Sequence, residues 1–328
     1  MVRKTIGSDQ PGKGDVLMAF PVLALTGPTA VGKTALSIRL AREIHGEIIS
    51  VDSVQVYRGL NIGTAKPGPA EMHRVPHHLI DILEPDEPFD AAYFARKAGR
   101  IIKSMTARGK IPVLVGGTGL YLKALLNGIA PCPEACPSLR RVLRDLAQDY
   151  GKMYLYDLLA DIDPESGRRI HPMDLFRVIR ALEVYFLTGE SISTWHRKDG
   201  SVLKRAFPCI KIGLVRSREE LYRRIDRRVD VMMREGLVEE VRDLLARGYS
   251  PGLKPLQSIG YRHIISFLRG EMSFREAVRQ MKRDTRRYCR RQLTWLRKDP
   301  EIRWFNPDLL MQSSYVWRKI MGADRTTK

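Results

Sequence analysis

The sequence predicts an α/β protein with a doubly wound parallel sheet as its core, a helical insertion domain and a helical C-terminal part. Two short apolar runs, 18–27 and 111–115, each end in a glycine-rich turn that opens an amphipathic helix. The proline-rich stretch 129–139 then breaks this alternation, and mainly helical periodicity follows. Strands that alternate with helices, followed by helices, indicate a sheet-based core with a helical insertion.

The first elements form a strand, loop, helix and strand. The apolar run MAFPVLALTG (18–27) predicts a buried parallel strand. Apolar residues at steps of four in TALSIRLAREIHG (34–46) predict a helix, which we expect Gly46 to end. EIISVDS (47–53) predicts a second strand with Asp52 at its tip. Two strands joined through a helix make a βαβ crossover, the repeating unit of a parallel sheet.

The same pattern recurs later and sets the domain boundaries. GKIPVLVGGTGLY (109–121) predicts a strand, a glycine turn and the start of a helix, after a helical stretch at about 85–108. KIGLV (211–215) predicts a strand that returns to the same sheet. We therefore expect an N-terminal tail (1–17), a P-loop core (18–130 with 205–310), a helical insertion domain (131–204) and a C-terminal tail (311–328).

Charge is the most distinctive feature of the composition. The chain has 328 residues, a net charge of +19 and 44% hydrophobic residues, so it can form a globular core. Such an excess of Lys and Arg indicates an anionic partner, nucleic acid first, with an inert basic surface as the alternative.

The cysteines and the N-terminus bear on location. Cys132 and Cys136 lie in PCPEACP without a second pair at zinc-ligand spacing, so ordinary loop cysteines are favoured over a metal or redox role. The N-terminus lacks a secretory signal, and the apolar run 17–26 is too short to span a bilayer. We expect a cytoplasmic protein with reduced thiols and no membrane contact.

Residues 27–34 carry the strongest binding signal. GPTAVGKT matches the P-loop pattern G-x4-G-K-[ST], in which glycines let backbone N–H groups face phosphate oxygens at a helix N-terminus. We expect Lys33 to contact the outer phosphates and the Thr34 hydroxyl to bind Mg2+. The predicted diphosphate-binding residues are Gly27, Pro28, Thr29, Ala30, Val31, Gly32, Lys33 and Thr34.

Two further features belong to the same predicted sheet edge. Asp52 could act as a general base or order Mg2+, with a turn or N-cap role as the alternative. VGGTGLY (115–121) is a second glycine-rich turn between a strand and a helix. Thr118 in this turn could donate to a phosphate oxygen, although Gly-Gly also occurs in ordinary turns.

The C-terminal part contains a strongly basic helix at about 273–297. Arg279, Arg283, Arg286, Arg290 and Arg297 recur at steps of four, three, four and seven, which places them on one face. Like charges at this spacing repel. We therefore expect an anionic partner such as an RNA or DNA backbone, with a solvated charged face as the alternative.

Together these motifs resemble the tRNA dimethylallyltransferases, also called tRNA isopentenyltransferases. The resemblance runs from Val22 to Trp304 and depends on DSVQVY (52–57), IGTAKP (62–67), VGGTGLY and RRQLTW (290–295) in combination. No zinc-finger spacing is present, so bacterial members are the better match. Further matching segments are VPHHLIDI (75–82), 163–189, 224–241 and QSIGYRH (257–263).

The resemblance implies dimethylallyl diphosphate in the P-loop, Mg2+ as cofactor, and a flipped-out adenosine 3′ of the tRNA anticodon as acceptor. A monomer suffices for this chemistry. By match to the family motifs, Asp52 deprotonates the amine, and Thr118 and Arg228 contact the diphosphate, although Arg224 or Arg227 could replace Arg228. The insertion domain would hold the anticodon stem. The implied tRNA contacts are Asp52, Ser53, Val54, Gln55, Thr118, Arg140, Phe176, Arg177, Val178, Ile179, Arg180, Arg290, Arg291, Gln292, Trp295 and Arg297.

Other functions compete with this one. A P-loop kinase of a small metabolite would place ATP in the loop, but such kinases seldom need a basic helix. A related enzyme class prenylates free adenine nucleotides, and only the tRNA-contacting half distinguishes it. A nucleotide-gated RNA-binding protein without catalysis would not need Asp52.

Overall fold

A computed structural model describes residues 22–199 and 207–312. Within these residues, six parallel strands form one sheet in the order β3-β2-β4-β1-β5-β6. This confirms the predicted α/β fold and its parallel sheet. The strands are β1 (Val22–Thr26), β2 (Gly46–Val51), β3 (His77–His78), β4 (Ile111–Gly116), β5 (Cys209–Leu214) and β6 (Arg303–Phe305).

Helices connect the strands and follow the sheet to the C-terminal part. A 3-10 turn, Ile62–Thr64, lies between β2 and α2. The helices are α1 (Lys33–Glu43), α2 (Pro69–Arg74), α3 (Ala91–Ala107), α4 (Gly119–Asn127), α5 (Pro137–Asp149), α6 (Lys152–Ile162), α7 (Pro164–Arg169), α8 (Leu175–Thr188), α9 (Ile192–Asp199), α10 (Arg218–Arg234), α11 (Leu237–Ala246), α12 (Tyr261–Leu268), α13 (Phe274–Leu296) and α14 (Pro307–Gln312).

Strand β1 lies at the centre of the sheet, and its position explains its sequence. All five of its residues are buried, because β4 and β5 flank it and helices cover its faces. Leu25 pairs in register with Val115 of β4 and Ile212 of β5. Leu36 and Leu40 of α1 are fully buried in the same core, as their spacing predicts. The carboxyl end of β1 therefore lies near the middle of one edge of the sheet.

Gly46 does not end helix α1, so that expectation is wrong. The helix ends at Glu43, and His45 adopts a left-handed conformation with φ at 52°. Gly46 is instead the first residue of β2, where a Cβ would lie 2.7 Å from the carbonyl oxygen of Ile111. The glycine is needed for the close approach of two strands.

Element boundaries differ from expectation mainly at the sheet edges. The short strands β3 and β6 carry too few residues for a periodicity signal, and the sequence did not indicate them. The helix expected at about 85–108 is α3, which begins at Ala91 after an N-cap Asp90 that accepts from the Tyr93 N–H. The predicted tail 1–17 and residues 313–328 lie outside the described part.

Residues 126–206 form a second compact unit, compared with the predicted 131–204. Its described part consists of helices around a core of Leu143, Leu155, Leu159, Val178 and Leu182. The apolar faces of α5, α6 and α8 thus supply this unit with a core of its own.

Glu183 is fully buried within the second unit. It accepts hydrogen bonds from Arg140 Nε and the Cys136 N–H, both at 2.7 Å, and pairs with Arg180. Burial acts to raise the pKa of Glu183, but the two guanidinium groups outweigh it and hold the pKa below its ordinary value. The carboxylate thus stays charged and ties α5 to α8.

Candidate active site

The P-loop joins β1 to α1 at the carboxyl edge of the sheet. Gly27 has φ at 150°, and a Cβ there would lie 2.8 Å from the Leu214 carbonyl oxygen. Gly32 has φ at 107°, a conformation that side chains rarely adopt. Both glycines therefore permit a loop shape that turns backbone N–H groups toward a cavity at the start of α1.

Lys33 folds back on its own loop. Its ammonium donates to the carbonyl oxygens of Gly27 at 2.9 Å and Pro28 at 2.8 Å. Burial, and then the positive charge of Arg228, lower the pKa of Lys33 to about 7, although Asp52 and Cys289 act to raise it. A phosphate group at the loop would supply the counter-charge that Lys33 lacks.

Asp52 directly follows β2 and combines two of the roles considered for it. Its Oδ1 accepts from the N–H groups of Val54 at 2.8 Å and Gln55 at 3.1 Å, so the carboxylate does shape a turn. Among the described residues, Oδ2 has no hydrogen-bond partner in the structure, and Asp52 lines the cavity beside Lys33. One oxygen thus holds the turn while the other is available for chemistry.

Two cavities meet at this carboxylate. The first, of about 110 Å³, contains the P-loop residues Lys33 and Thr34. The second, of about 310 Å³, has an apolar wall that includes Val229, Met232, Ile259 and Met281. The residues that line both are Thr29, Asp52, Thr64, Ala65, Arg228 and Tyr288. A ligand with an anionic end in the first cavity would therefore present its other end to Asp52 and the second cavity.

The structure separates the three candidate arginines of α10. Arg228 lines both cavities and donates to the Thr29 hydroxyl at 3.3 Å. Arg224 donates to the Ala30 carbonyl oxygen at 2.7 Å and so supports the loop from outside. Arg227 is exposed and lines neither cavity. This placement favours Arg228 for the predicted diphosphate contact, which remains a prediction.

The second glycine turn packs against helix α13. A Cβ on Gly117 would lie 2.2 Å from Gln292 Nε2, and one on Gly119 would lie 2.1 Å from Trp295 Cδ1. Thr118, between them, contacts the side chain of Tyr288. The glycines therefore admit two α13 side chains against the turn, while Gly117 itself lines the P-loop cavity.

Gln292 was expected to contact tRNA, but it is buried between the two loops. Its Oε1 accepts from the Thr29 N–H at 2.8 Å, and its Nε2 donates to the Gly117 carbonyl oxygen at 3.1 Å. The neighbouring residues Arg290, Arg291 and Trp295 are exposed, and Arg291 also lines the second cavity. The same turn of α13 thus faces both inward and outward.

Part of the positive charge on α13 is paired with acidic side chains of the protein itself. Acidic side chains pair with Arg279, Lys282, Arg283, Arg286 and Arg287, and the partners are Glu276, Asp230, Asp284 and Asp226. Within the described residues, no acidic group pairs with Arg290, Arg291 or Arg297. The mutual repulsion inferred from the sequence is therefore offset in part by local pairing. Among the described residues, cations without an acidic partner remain at both ends of the helix, with Arg275 at its start and the other three at its C-terminal end.

The tRNA contacts expected in the second unit divide into three groups. Phe176 and Arg177 are exposed, with 75% of the residue and 61% of the side chain accessible respectively. Val178 and Ile179 are buried in the core of the unit, so a contact with tRNA would have to use their backbone, and it stays a prediction. Arg140 and Arg180 are engaged by Glu183. The apolar spacing of Leu175, Val178, Ile179 and Leu182 could have indicated the buried face.

Two contributions to the cavities were missed from the sequence. Tyr288 lines both, and burial raises its pKa to about 12, so its hydroxyl stays protonated at neutral pH. Thr64 and Ala65 of IGTAKP also line both, and their carbonyl oxygens accept from Gln55 Nε2. Glu240 holds this loop, since it accepts from the N–H groups of 61–63 and from the Tyr261 hydroxyl. The composition of IGTAKP alone does not indicate this role.

The fold and the loop define a P-loop α/β protein with a ligand cavity at the carboxyl edge of its sheet. The sequence profile of the IPP transferases matches residues 55–299, and that of the isopentenyl transferases matches residues 20–82. The chain belongs to the IPP transferase family, whose members include enzymes named tRNA dimethylallyltransferases.

Individual relatives support this assignment. A tRNA dimethylallyltransferase of Syntrophobacter fumaroxidans is 50% identical over 293 residues, covering 89% of this chain and 85% of the relative. One from Geobacter sulfurreducens is 48% identical, covering 86% of this chain and 91% of the relative.

Solved structures agree with the sequence relatives. The tRNA isopentenylpyrophosphate transferase of Bacillus halodurans matches at a TM-score of 0.68 and 40% identity, over 92% of this chain and 97% of that one. A eukaryotic dimethylallyltransferase acting on tRNA matches at a TM-score of 0.72 and 27% identity, over 94% of this chain and 77% of that one. Separately, every helix within 22–199 and 207–312 is too short or too polar to cross a membrane.

Proposed function

We propose that this protein transfers a dimethylallyl group from dimethylallyl diphosphate to the exocyclic N6 amine of the adenosine 3′ of the anticodon in tRNA. The observation that carries the proposal is the position of Asp52 where a P-loop cavity meets a second, more apolar cavity. The curated relatives named tRNA dimethylallyltransferases support the same reaction.

In this proposal each group of the site has a role. The diphosphate lies against the P-loop N–H groups, Lys33 and Arg228, which stabilise the charge that develops as the allylic C–O bond breaks. The N6 nitrogen attacks the allylic carbon from the second cavity and forms the new N–C bond. Asp52 accepts the proton that the amine loses, and diphosphate leaves with the C–O bonding electrons.

The residues present fit Mg2+ as a cofactor. Among the described residues, no group of three His, Cys, Asp or Glu side chains could hold a metal alone. In P-loop proteins Mg2+ binds the Ser or Thr hydroxyl of the loop together with substrate phosphates. The Thr34 hydroxyl, which lines the P-loop cavity, would hold it beside the diphosphate. When bound, the ion would neutralise charge on the leaving group.

The first experiment separates this function from the kinase alternative. Protein is incubated with labelled dimethylallyl diphosphate or with γ-labelled ATP, with and without tRNA. We expect the prenyl label to enter tRNA. We also expect that ATP does not replace the prenyl donor. Phosphorylation of a small metabolite without label in tRNA would contradict the proposal. Prenylation of free adenine nucleotides alone would make these nucleotides, and not tRNA, the acceptor.

The second experiment concerns the unpaired cations at the C-terminal end of α13. Replacing Arg290 or Arg297 with Gln should weaken binding to all tRNAs and reduce the slope of log affinity against log salt by roughly one unit per lost phosphate contact. Filter binding at several salt concentrations measures both. Arg279→Gln is the matched control, since Glu276 already neutralises that arginine on the same helix. A wild-type slope in both test variants would show a solvated surface.

We further propose that the enzyme works as a monomer in the cytoplasm. The two cavities and their lining groups come from a single chain. All four cysteines lie within the described residues and none of them forms a disulfide bond, in keeping with a reducing compartment. Sedimentation with and without tRNA tests the oligomeric state.

A further inference from the structure

We propose that Gln292 is a positioning residue that fixes the diphosphate-binding loop to the tRNA-facing helix, and that it does not contact tRNA. The inference rests on the proposed function for the identity of the two ligands. In this role, Gln292 fixes the position of the P-loop relative to the second glycine turn.

The first support is the geometry of the amide. Both ends of the side chain are used, one by the Thr29 N–H at 2.8 Å and the other by the Gly117 carbonyl oxygen at 3.1 Å. Thr29 and Gly117 both line the P-loop cavity, and they follow different strands of the sheet. A single amide therefore spans the gap between the two loops that form the cavity.

The second support is burial. Gln292 is 8% exposed and also lines the P-loop cavity, while the adjacent Arg290 and Arg291 are exposed. A buried amide left without its partners is costly, so both bonds hold the loops in place. These two hydrogen bonds explain a buried glutamine at this position without any contact to tRNA.

The third support is the glycine at position 117. Its missing Cβ would lie 2.2 Å from Gln292 Nε2 and 3.0 Å from the Gly27 carbonyl oxygen. Only glycine leaves room for the amide to reach the Gly117 carbonyl. Gly117 has no positive φ that would otherwise require glycine, so the contact with Gln292 and the P-loop accounts for it.

The test compares two Gln-to-Met changes on the same helix. Gln292→Met keeps the side-chain length and removes both hydrogen bonds. Gln280→Met is the control, because within the described residues Gln280 bonds only to Glu276 and lines neither cavity. Calorimetry measures the affinity for inorganic diphosphate with Mg2+, filter binding measures the affinity for tRNA, and steady-state assays give KM and kcat.

We expect Gln292→Met to weaken diphosphate binding about tenfold and to raise the KM for dimethylallyl diphosphate by a similar factor. The affinity for tRNA should stay within about twofold of wild type, and Gln280→Met should match wild type throughout. A general loss of structure would lower both affinities together, so the selective loss distinguishes positioning from folding.

Three results would overturn the inference. One is equal diphosphate affinity in Gln292→Met and Gln280→Met. Another is a loss confined to tRNA binding, which would make Gln292 a tRNA contact. The third is failure of both Gln292→Met and Gly117→Ala to fold, which would make the bridge purely structural. If both fold, Gly117→Ala, which displaces the amide from the other side, should reproduce the diphosphate defect.

A failure of this inference can be told apart from a failure of the proposed function. If wild-type protein transferred no prenyl label to tRNA, that function would fail. The diphosphate affinities of Gln292→Met and Gln280→Met would still decide whether the bridge positions the loop.

Discussion

Asp52→Asn should lower turnover by about 10²–10⁴-fold while the affinity for tRNA stays within a few-fold of wild type. The exocyclic nitrogen of adenine is a poor nucleophile, because its lone pair is delocalised into the ring. Its attack on carbon needs a base, and Asp52 is the carboxylate that lines both cavities. Single-turnover prenyl transfer and filter binding measure the two quantities separately.

The structure makes an amide the informative replacement. In Asp52→Asn the side-chain oxygen can still accept from the N–H groups of Val54 and Gln55, as Asp52 Oδ1 does now. The turn is therefore preserved and only the basicity is removed. Asp52→Ala removes both, so a further loss in Asp52→Ala relative to Asp52→Asn measures the turn. Near-normal turnover in Asp52→Asn would refute the assignment, and a large loss of tRNA affinity alone would make Asp52 a recognition residue.

Lys33→Met should reduce kcat/KM for dimethylallyl diphosphate by about 10²–10³-fold, the usual effect of removing one donor aimed at developing charge. Lys33→Arg keeps a positive charge and should retain more activity. Initial rates over a range of donor concentrations give the comparison. Equal activity in Lys33→Met and wild type would place the diphosphate elsewhere.

The lowered pKa of Lys33 adds a pH dependence with a definite sign. In the free protein this pKa is about 7, and a bound diphosphate favours the charged form, so binding takes up a proton above that pH. Diphosphate affinity should therefore fall as pH rises above about 7, by at most tenfold per unit. The Lys33→Arg profile, in which the cation does not titrate, corrects for ionisation of the ligand. Parallel profiles would contradict the assignment.

Local signals in the sequence predicted the sheet, the P-loop and the position of Asp52. These features depend on a few adjacent residues, such as GPTAVGKT or the buried run of β1, and a tight loop or a central strand needs that composition wherever it occurs.

Contacts between distant segments were not predictable in the same way. Gln292 meets Thr29 across 263 positions, and nothing in RRQLTW shows that its amide faces inward. The partners of Glu183 likewise come from α5, α8 and the segment before them. Residues 176–180 match the family motif as one segment, although the helical period separates the buried face with Val178 and Ile179 from the exposed Phe176.

The local pairing on α13 changes what the net charge of +19 means for an approaching RNA. The first part of helix α13 is partly neutralised by Asp226, Asp230, Asp284 and Glu276, whereas three consecutive cationic positions near its C-terminal end have no acidic partner among the described residues. Such a gradient orients a polyanion as well as attracting it. Encounters would be guided toward the end of the helix that borders the cavities, and sliding along its length would gain little.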